Sequence, residues 1–301
     1  MKRRFMMSQN FIKIDEGKNT HKRYISSLLV ILAFMLILGT LAYIVALIIG
    51  ELINPGLLDI ETGLVTDPLV DLYLLHLQSV LLVIGLFIAV KFILKRRFIS
   101  IITPAERLNW GKIGYGFVVF FIILGVFSIL DFVIFPSDYH LNDFNMTRFL
   151  WLLIAVIFLV PIQTTSEELL FRGFLLQWGG KFTQNPIILT IIVGGIFGSL
   201  HFFNPEMEYG AFWVALDYLS MGFIWTYISI KTNSSEFSIG AHAANNMFLC
   251  LFLTMEDTVY GDIPSLFVTT NIDPMISTIT TIVTGIIFSI IVFRKNKKVS
   301  Y

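Results

Sequence analysis

Apolar runs long enough to cross a bilayer recur eight times along the chain, near residues 25–50, 72–94, 113–135, 149–178, 186–204, 212–230, 237–255 and 275–293. A transmembrane helix needs about 20 such residues. Backbone groups in lipid must be satisfied within their own segment, which selects helices over open sheets. The pattern therefore predicts an all-α, polytopic integral membrane bundle of about eight transmembrane helices. The fourth run is longer than one span requires and contains Pro161, so a kink or a projecting end is expected there. The first run is too long for the apolar stretch of a signal peptide and lacks a small-residue cleavage signature, so it reads as a retained helix.

Charged positions sort by the ends of these runs. Basic residues gather before the first run (Lys2 through Arg23), after the second (Lys95, Arg96, Arg97, Arg107, Lys112), after the fourth (Lys181), after the sixth (Lys231) and after the last (Arg294, Lys295, Lys297, Lys298). The opposite loops hold Glu51, Asp59, Glu61, Asp67, Asp138, Asp143, Glu206, Glu208, Glu256, Asp257 and Asp262, with Arg148 as their one basic residue. Lysine and arginine collect on the cytoplasmic side of membrane proteins. Both termini are accordingly expected in the cytoplasm.

Composition agrees with this picture. The 301 residues are 56% hydrophobic and 14% charged, against about 25% charged in soluble domains. Acidic and basic residues number 21 each, so no net charge argues for nucleic acid as a partner. The lone cysteine, Cys250, lies in an apolar run and reads as packing.

Against this background the polar residues inside the runs stand out. Residues 166–172 read Ser-Glu-Glu-Leu-Leu-Phe-Arg, and each charged group at the centre of a bilayer costs roughly 2.5–3.5 kcal/mol on insertion scales. Glu168 and Arg172 sit at i, i+4 and share a helix face, so they can pair. Glu167 is rotated from Glu168 by about 100° and must face something else. This division leaves Glu168 neutralised and Glu167 free to act as a general base. In the fifth run Gly194 and Gly198 allow close helix approach, which brings His201 toward Glu167, and Phe197 shares the His201 face. In the seventh run His242 and Asn246 share a face among small residues, and both can donate hydrogen bonds to a developing oxyanion. At 1.5 Å per residue, Glu167 lies roughly 16 Å, Asn246 roughly 15 Å, His242 roughly 9 Å and His201 roughly 22 Å from the cytoplasmic ends of their helices. Helix tilt covers that spread, and the groups can meet in one intramembrane polar cavity.

Blander readings apply to single residues. A lone membrane histidine is often a packing residue, the Glu168–Arg172 pair can be purely structural, and the glycines alone indicate only packing. His76 reads as interfacial near the outer end of the second run, His21 and His140 as tail and loop residues. Asp131 and Asp217 have no evident partner. The chain has no His-Glu-x-x-His zinc signature, no Gly-x-Ser-x-Gly elbow and no phosphate-binding glycine loop. Ser166 and Ser199 leave a Ser–His nucleophile conceivable on spacing, but that reading gives the adjacent acids no role.

Glu167-Glu168-x-x-x-Arg172, Phe197-x-x-x-His201 and His242-x-x-x-Asn246, in that order, resemble the three motifs of the CPBP intramembrane proteases. That family includes the CAAX prenyl endopeptidases and bacteriocin-processing and immunity-type relatives. The resemblance covers about residues 148–255. It implies an eight-helix fold with a cavity open to the cytosol and endopeptidase chemistry on a membrane-associated or lipidated peptide or protein. The family's distribution, with no eukaryotic targeting signal in the chain, makes a bacterial plasma membrane the expected location. By that resemblance Glu167 and His201 activate water, His242 and Asn246 stabilise the oxyanion, and Glu168 and Arg172 support them. Family members are labelled metalloproteases. Glu167, His201 and His242 form a ligand set that a divalent metal such as zinc accepts, and a metal-free glutamate–histidine dyad fits as well. The implied organisation is a tail (1–24), accessory helices (25–147), a catalytic core (148–255) and a final helix with a basic tail (256–301). Competing expectations are a non-catalytic immunity or peptide-binding protein on the same fold, and a proton-coupled carrier using Glu167, Asp217 and the histidines.

Overall fold

The computed structural model describes residues 10–255 and 258–299. The N-terminal basic residues before position 10, and Glu256 and Asp257 of the charge pattern, lie outside the described residues. Eight helices follow in chain order: α1 (His21–Ile53), α2 (Pro68–Ile93), α3 (Trp110–Ile134), α4 (Met146–Gly179), α5 (Pro186–Ser199), α6 (Ala211–Thr232), α7 (Glu236–Phe252) and α8 (Pro274–Val299). Six of these are long and apolar enough to cross a membrane, and the chain is an integral membrane protein. The two shorter helices, α5 with 14 residues and α7 with 17, carry the histidine motifs.

Helix starts follow local chemistry. Asp67 accepts from the amides of Leu69 and Val70 ahead of Pro68, and Asn185 does the same for Ile187 and Ile188 ahead of Pro186. Asn109 and Asn145 cap α3 and α4. Such caps satisfy amides that a helix leaves open, each worth about 1 kcal/mol. Within α4 the helix is interrupted at Leu159, two residues before Pro161, where the ring removes a backbone donor. The stretch Leu169–Leu175, which directly follows the two glutamates, is π-helical, a widening that recurs at functional sites.

The expected fifth span ends early. Helix α5 stops at Ser199 and residues 200–203 turn, ahead of Pro205 and the short helical turn Pro205–Tyr209. His201 therefore lies in the turn after α5, not on the helix. Strands also occur: Tyr139–Leu141, Leu253–Thr254 and Phe267–Thr269 form a small sheet with the last strand in the middle, antiparallel to the first and parallel to the second. It ties the α3–α4 connection to the α7–α8 connection at the acidic end of the bundle. The basic end is tied by the segment before α1, whose Phe11 amide donates to Asn233 Oδ1 at 2.7 Å.

Two close crossings set the interior. A Cβ on Gly194 would stand 2.6 Å from the Gly222 carbonyl carbon, so α5 and α6 touch backbone to backbone. Gly116 on α3 and Gly240 on α7 make a second crossing of the same kind, against the backbone around Phe237 and Ile113. Small residues permit such approach where lipid offers no hydrophobic drive between helices. The second crossing fixes α7 so that its polar face turns toward α4.

Candidate active site

Helices α4 and α7 build the site. Glu168 and Arg172 are both fully buried, and Arg172 Nη1 donates to Glu168 Oε1 at 3.0 Å. The guanidinium also lies 4.1 Å from the centre of the Phe197 ring, and its Nη2 reaches the Gly222 carbonyl at 3.4 Å. Phe197 thus packs on the arginine, from a helix that Gly194 allows to approach. The same Glu168 oxygen meets His242 Nδ1 at 2.9 Å. A carboxylate there accepts from Nδ1–H, which fixes the tautomer and aims Nε2 outward. Nε2 of His242 is 3.8 Å from Glu167 Oε2. That distance exceeds a direct hydrogen bond and leaves the two groups facing each other unbonded. Trp225 stacks beside the His242 ring with centroids 6.4 Å apart and planes at 19°, and Phe197 meets it edge-on.

Glu167 has a different environment from its neighbour. Its side chain is 23% exposed, where that of Glu168 is fully buried. One oxygen accepts from Gln163 Nε2, one helical turn earlier, and the other has no hydrogen-bond partner. Gln163 Oε1 in turn accepts from Asn246 Nδ2 at 3.1 Å, and the same Asn246 nitrogen donates to the Tyr260 hydroxyl at 3.1 Å. Glu167, Gln163, Asn246 and Tyr260 therefore form one chain of contacts across α4, α7 and the connection after α7.

The structure brings together five of the six residues that the sequence motifs single out: Glu167, Glu168, Arg172, His242 and Asn246. His201 stands apart. Its Nδ1 is 3.0 Å from the Phe197 carbonyl, its ring stacks on Tyr218 with centroids 4.6 Å apart, and no hydrogen bond or ion pair joins it to Glu167. Helix α5 ends at Ser199, so His201 approaches from the turn that follows it, with its ring centroid 4.9 Å from that of Phe197. The proposed metal ligands also do not converge. His242 Nδ1 is engaged by Glu168, His201 is held on Tyr218, and among the described residues no three His, Cys, Asp or Glu side chains form a group able to hold a metal ion. Glu167, His201 and His242 do not fit a metal in this arrangement.

Other positions differ from their sequence reading. His76 is buried rather than interfacial, with Nδ1 2.5 Å from the Leu72 carbonyl and Nε2 unpartnered. Asp131 accepts from the Tyr139 hydroxyl, and Asp217 Oδ1 is buried without a hydrogen-bond partner. Arg148, the exception in the charge pattern, binds Asp67 through two nitrogens at 2.8 Å each. Gln163, Tyr218 and Tyr260 also contact these residues. Of the three, only Gln163 carries a readable sequence signal, an amide at i−4 from Glu167 within an apolar run.

Comparison with known proteins agrees with this arrangement of motifs. A family profile described as type II CAAX prenyl endopeptidase Rce1-like matches residues 147–248, the stretch that contains both glutamates and both motif histidines. YyaK of Bacillus subtilis (strain 168), whose printed description is uncharacterized protein, is 48% identical over 290 residues, covering 96% of this chain and 97% of its own length. No solved structure matches the chain. With the motif residues on α4, on α5 and the turn after it, and on α7 all inside the matched stretch, residues 147–248 form a domain of the Rce1-like family, described as type II CAAX prenyl endopeptidase.

Proposed function

We propose that the protein is an intramembrane endopeptidase of a bacterial plasma membrane, with its basic end and both termini in the cytoplasm. Its substrate is a membrane-associated or lipidated peptide or protein. Glu167 acts as the general base: its unbonded, buried oxygen faces His242 Nε2 at 3.8 Å, where a water can be held by both groups. His242, oriented through Nδ1 by Glu168, donates Nε2–H to the charge that develops on the substrate carbonyl, a role in which both ring nitrogens carry protons. Asn246 supplies the second donor once it leaves Gln163 or Tyr260. His201 joins Glu167 at the water after leaving its stack on Tyr218. Arg172 compensates Glu168, so the negative charge required for catalysis rests on Glu167 alone.

The observation that supports this reading best is the placement of His242 between two adjacent glutamates that differ in compensation, one bound to arginine and one not. A purely structural network gives no reason to leave the second carboxylate oxygen unpartnered at 3.8 Å from a histidine nitrogen. The test compares membrane and secreted peptides from cells carrying wild type or Glu167→Gln. A precursor should accumulate only in the variant, and purified wild type should cleave it. If the variant is present at wild-type abundance and no peptide differs, the endopeptidase reading is wrong and the peptide-binding alternative gains.

A further inference from the structure

The turn after α2 carries Lys95, Arg96 and Arg97, and Arg96 departs from the solvated charge its sequence position suggests. It is only 2% exposed. Its Nη1 lies 3.4 Å from the Tyr24 hydroxyl, while Nε and Nη2 have no hydrogen-bond partner. Glu16, the acid beside it, is committed elsewhere: Arg97 Nε meets Glu16 Oε2 at 2.9 Å, and the Arg97 amide takes the other oxygen. The fold holds Arg96 in this state. The Lys18 amide donates to the Leu94 carbonyl at 2.7 Å, and Gly17, at φ +78°, has no room for a side chain over the Arg96 stem. Burial lowers the Arg96 pKa, and Tyr24 and Glu16 restore it in part.

A buried charge is costly unless an opposite charge and further hydrogen bonds compensate it. Here the two open nitrogens, Nε and Nη2, form one edge of the guanidinium fork, the edge that grips a carboxylate or phosphate side-on. A cleft of about 390 Å³ is lined by Glu16, Lys91, Phe92, Lys95, Arg96 and Arg97, while Nε and Nη2 themselves lie covered beneath it. Lys91 and Lys95 are exposed, and neither has a carboxylate partner among the described residues. Phe92, at 63% exposure, places an apolar ring beside the basic groups. Buried arginine, free lysines and an exposed ring meet where a membrane span ends.

We propose that this cleft binds a phosphate group at the membrane surface, with Lys91 and Lys95 drawing it in and Arg96 turning its unpartnered Nε and Nη2 edge outward onto two phosphate oxygens. An anionic phospholipid headgroup and a free phosphate present the same chemistry. Basic pockets at span ends take such headgroups.

The full-length protein, purified in a neutral detergent, is melted with added inorganic phosphate or with matched chloride. In parallel it is melted in mixed micelles containing phosphatidylglycerol or phosphatidylcholine. Ligand-dependent shifts of the midpoint give the apparent dissociation constant. Arg96→Gln should weaken phosphate binding roughly 10- to 100-fold. The double variant Lys91→Gln/Lys95→Gln should weaken it roughly 10-fold, and it serves as the test if Arg96→Gln fails to fold. Stabilisation by phosphatidylglycerol alone identifies a lipid headgroup, and stabilisation by inorganic phosphate as well identifies any accessible phosphate. Equal melting in all four conditions, or shifts that survive in every folded variant, overturns the site.

Discussion

Replacing Arg172 by alanine probes the buried network directly. The Arg172–Glu168 pair is 3.0 Å long with both side chains at zero exposure, so solvent screening gives no discount. Removing one partner of such a pair leaves the other as an uncompensated buried charge, at a cost of about 3–5 kcal/mol. The Phe197 ring loses its cation in the same step, a contact worth about 2 kcal/mol when desolvated. The two losses share a side chain and do not add in full, so about 4 kcal/mol is the expected total. Folded proteins hold about 5–15 kcal/mol in all, so Arg172→Ala should lower the abundance of folded protein sharply. The assay is unfolding by sodium dodecyl sulfate in mixed micelles, read by fluorescence of the five tryptophans. The informative companion is the double variant Glu168→Gln/Arg172→Met, which removes both charges. It should recover most of the stability while remaining inactive, because His242 Nδ1 loses its carboxylate. A cost below about 1 kcal/mol for Arg172→Ala, the level of a surface pair, would refute the reasoning. So would a double variant no more stable than the single one.

Two further outcomes follow from other parts of the molecule. Hydrogen bonds from Arg148 hold the Asp67 carboxyl below its usual range. With the folded value lowered, this contribution is complete above about pH 4 and is lost as pH falls through the folded value. Since the two side chains are 42% and 30% exposed, it amounts to less than about 1 kcal/mol. The stability gap between wild type and Arg148→Gln should therefore be present at neutral pH and close under acid, and a gap that persists unchanged in acid contradicts the assignment. At the site itself, Gln163→Leu should lower kcat about 10- to 100-fold through misplacement of Glu167 and Asn246, with KM little changed. An unaltered kcat on the precursor identified with Glu167→Gln would remove Gln163 from the positioning of the base.

The elements that sequence pattern conveys well are those governed by short spacing. Glu168 and Arg172 pair because i, i+4 places them on one face, and Gly194 marks a real backbone contact. Helix starts at Asp67, Asn109, Asn145 and Asn185 are written in capping residues. What pattern does not convey depends on distant chain. Gly240 meets Ile113 more than a hundred residues away, and that crossing decides which way His242 faces. The end of α5 at Ser199 is invisible in an apolar run that continues to Phe203, so pattern alone puts His201 on the helix where the fold puts it in the following turn. Arg96 looks like any basic residue after a span, and its burial follows from the segment that folds back over it from before α1.

The adjacency of Glu167 and Glu168 is itself the feature that the fold turns to use. On a helix, neighbours diverge by about 100°, so two consecutive acids cannot share one counter-ion. Arg172 takes Glu168 and buries it, which makes that carboxylate a fixed acceptor for His242 Nδ1. The rotation then directs Glu167 to the other ring nitrogen of the same histidine, at 3.8 Å. One imidazole is thereby spanned by two carboxylates from successive residues, the first setting its orientation and the second left with an open oxygen beside it. Exchanging the two roles by moving the arginine is not available, since a partner for Glu167 at i+4 would replace Phe171, which packs edge-on against Phe197. The order Glu-Glu-x-x-x-Arg is thus fixed by helix geometry together with the single crossing that places α5 against α4 and α6.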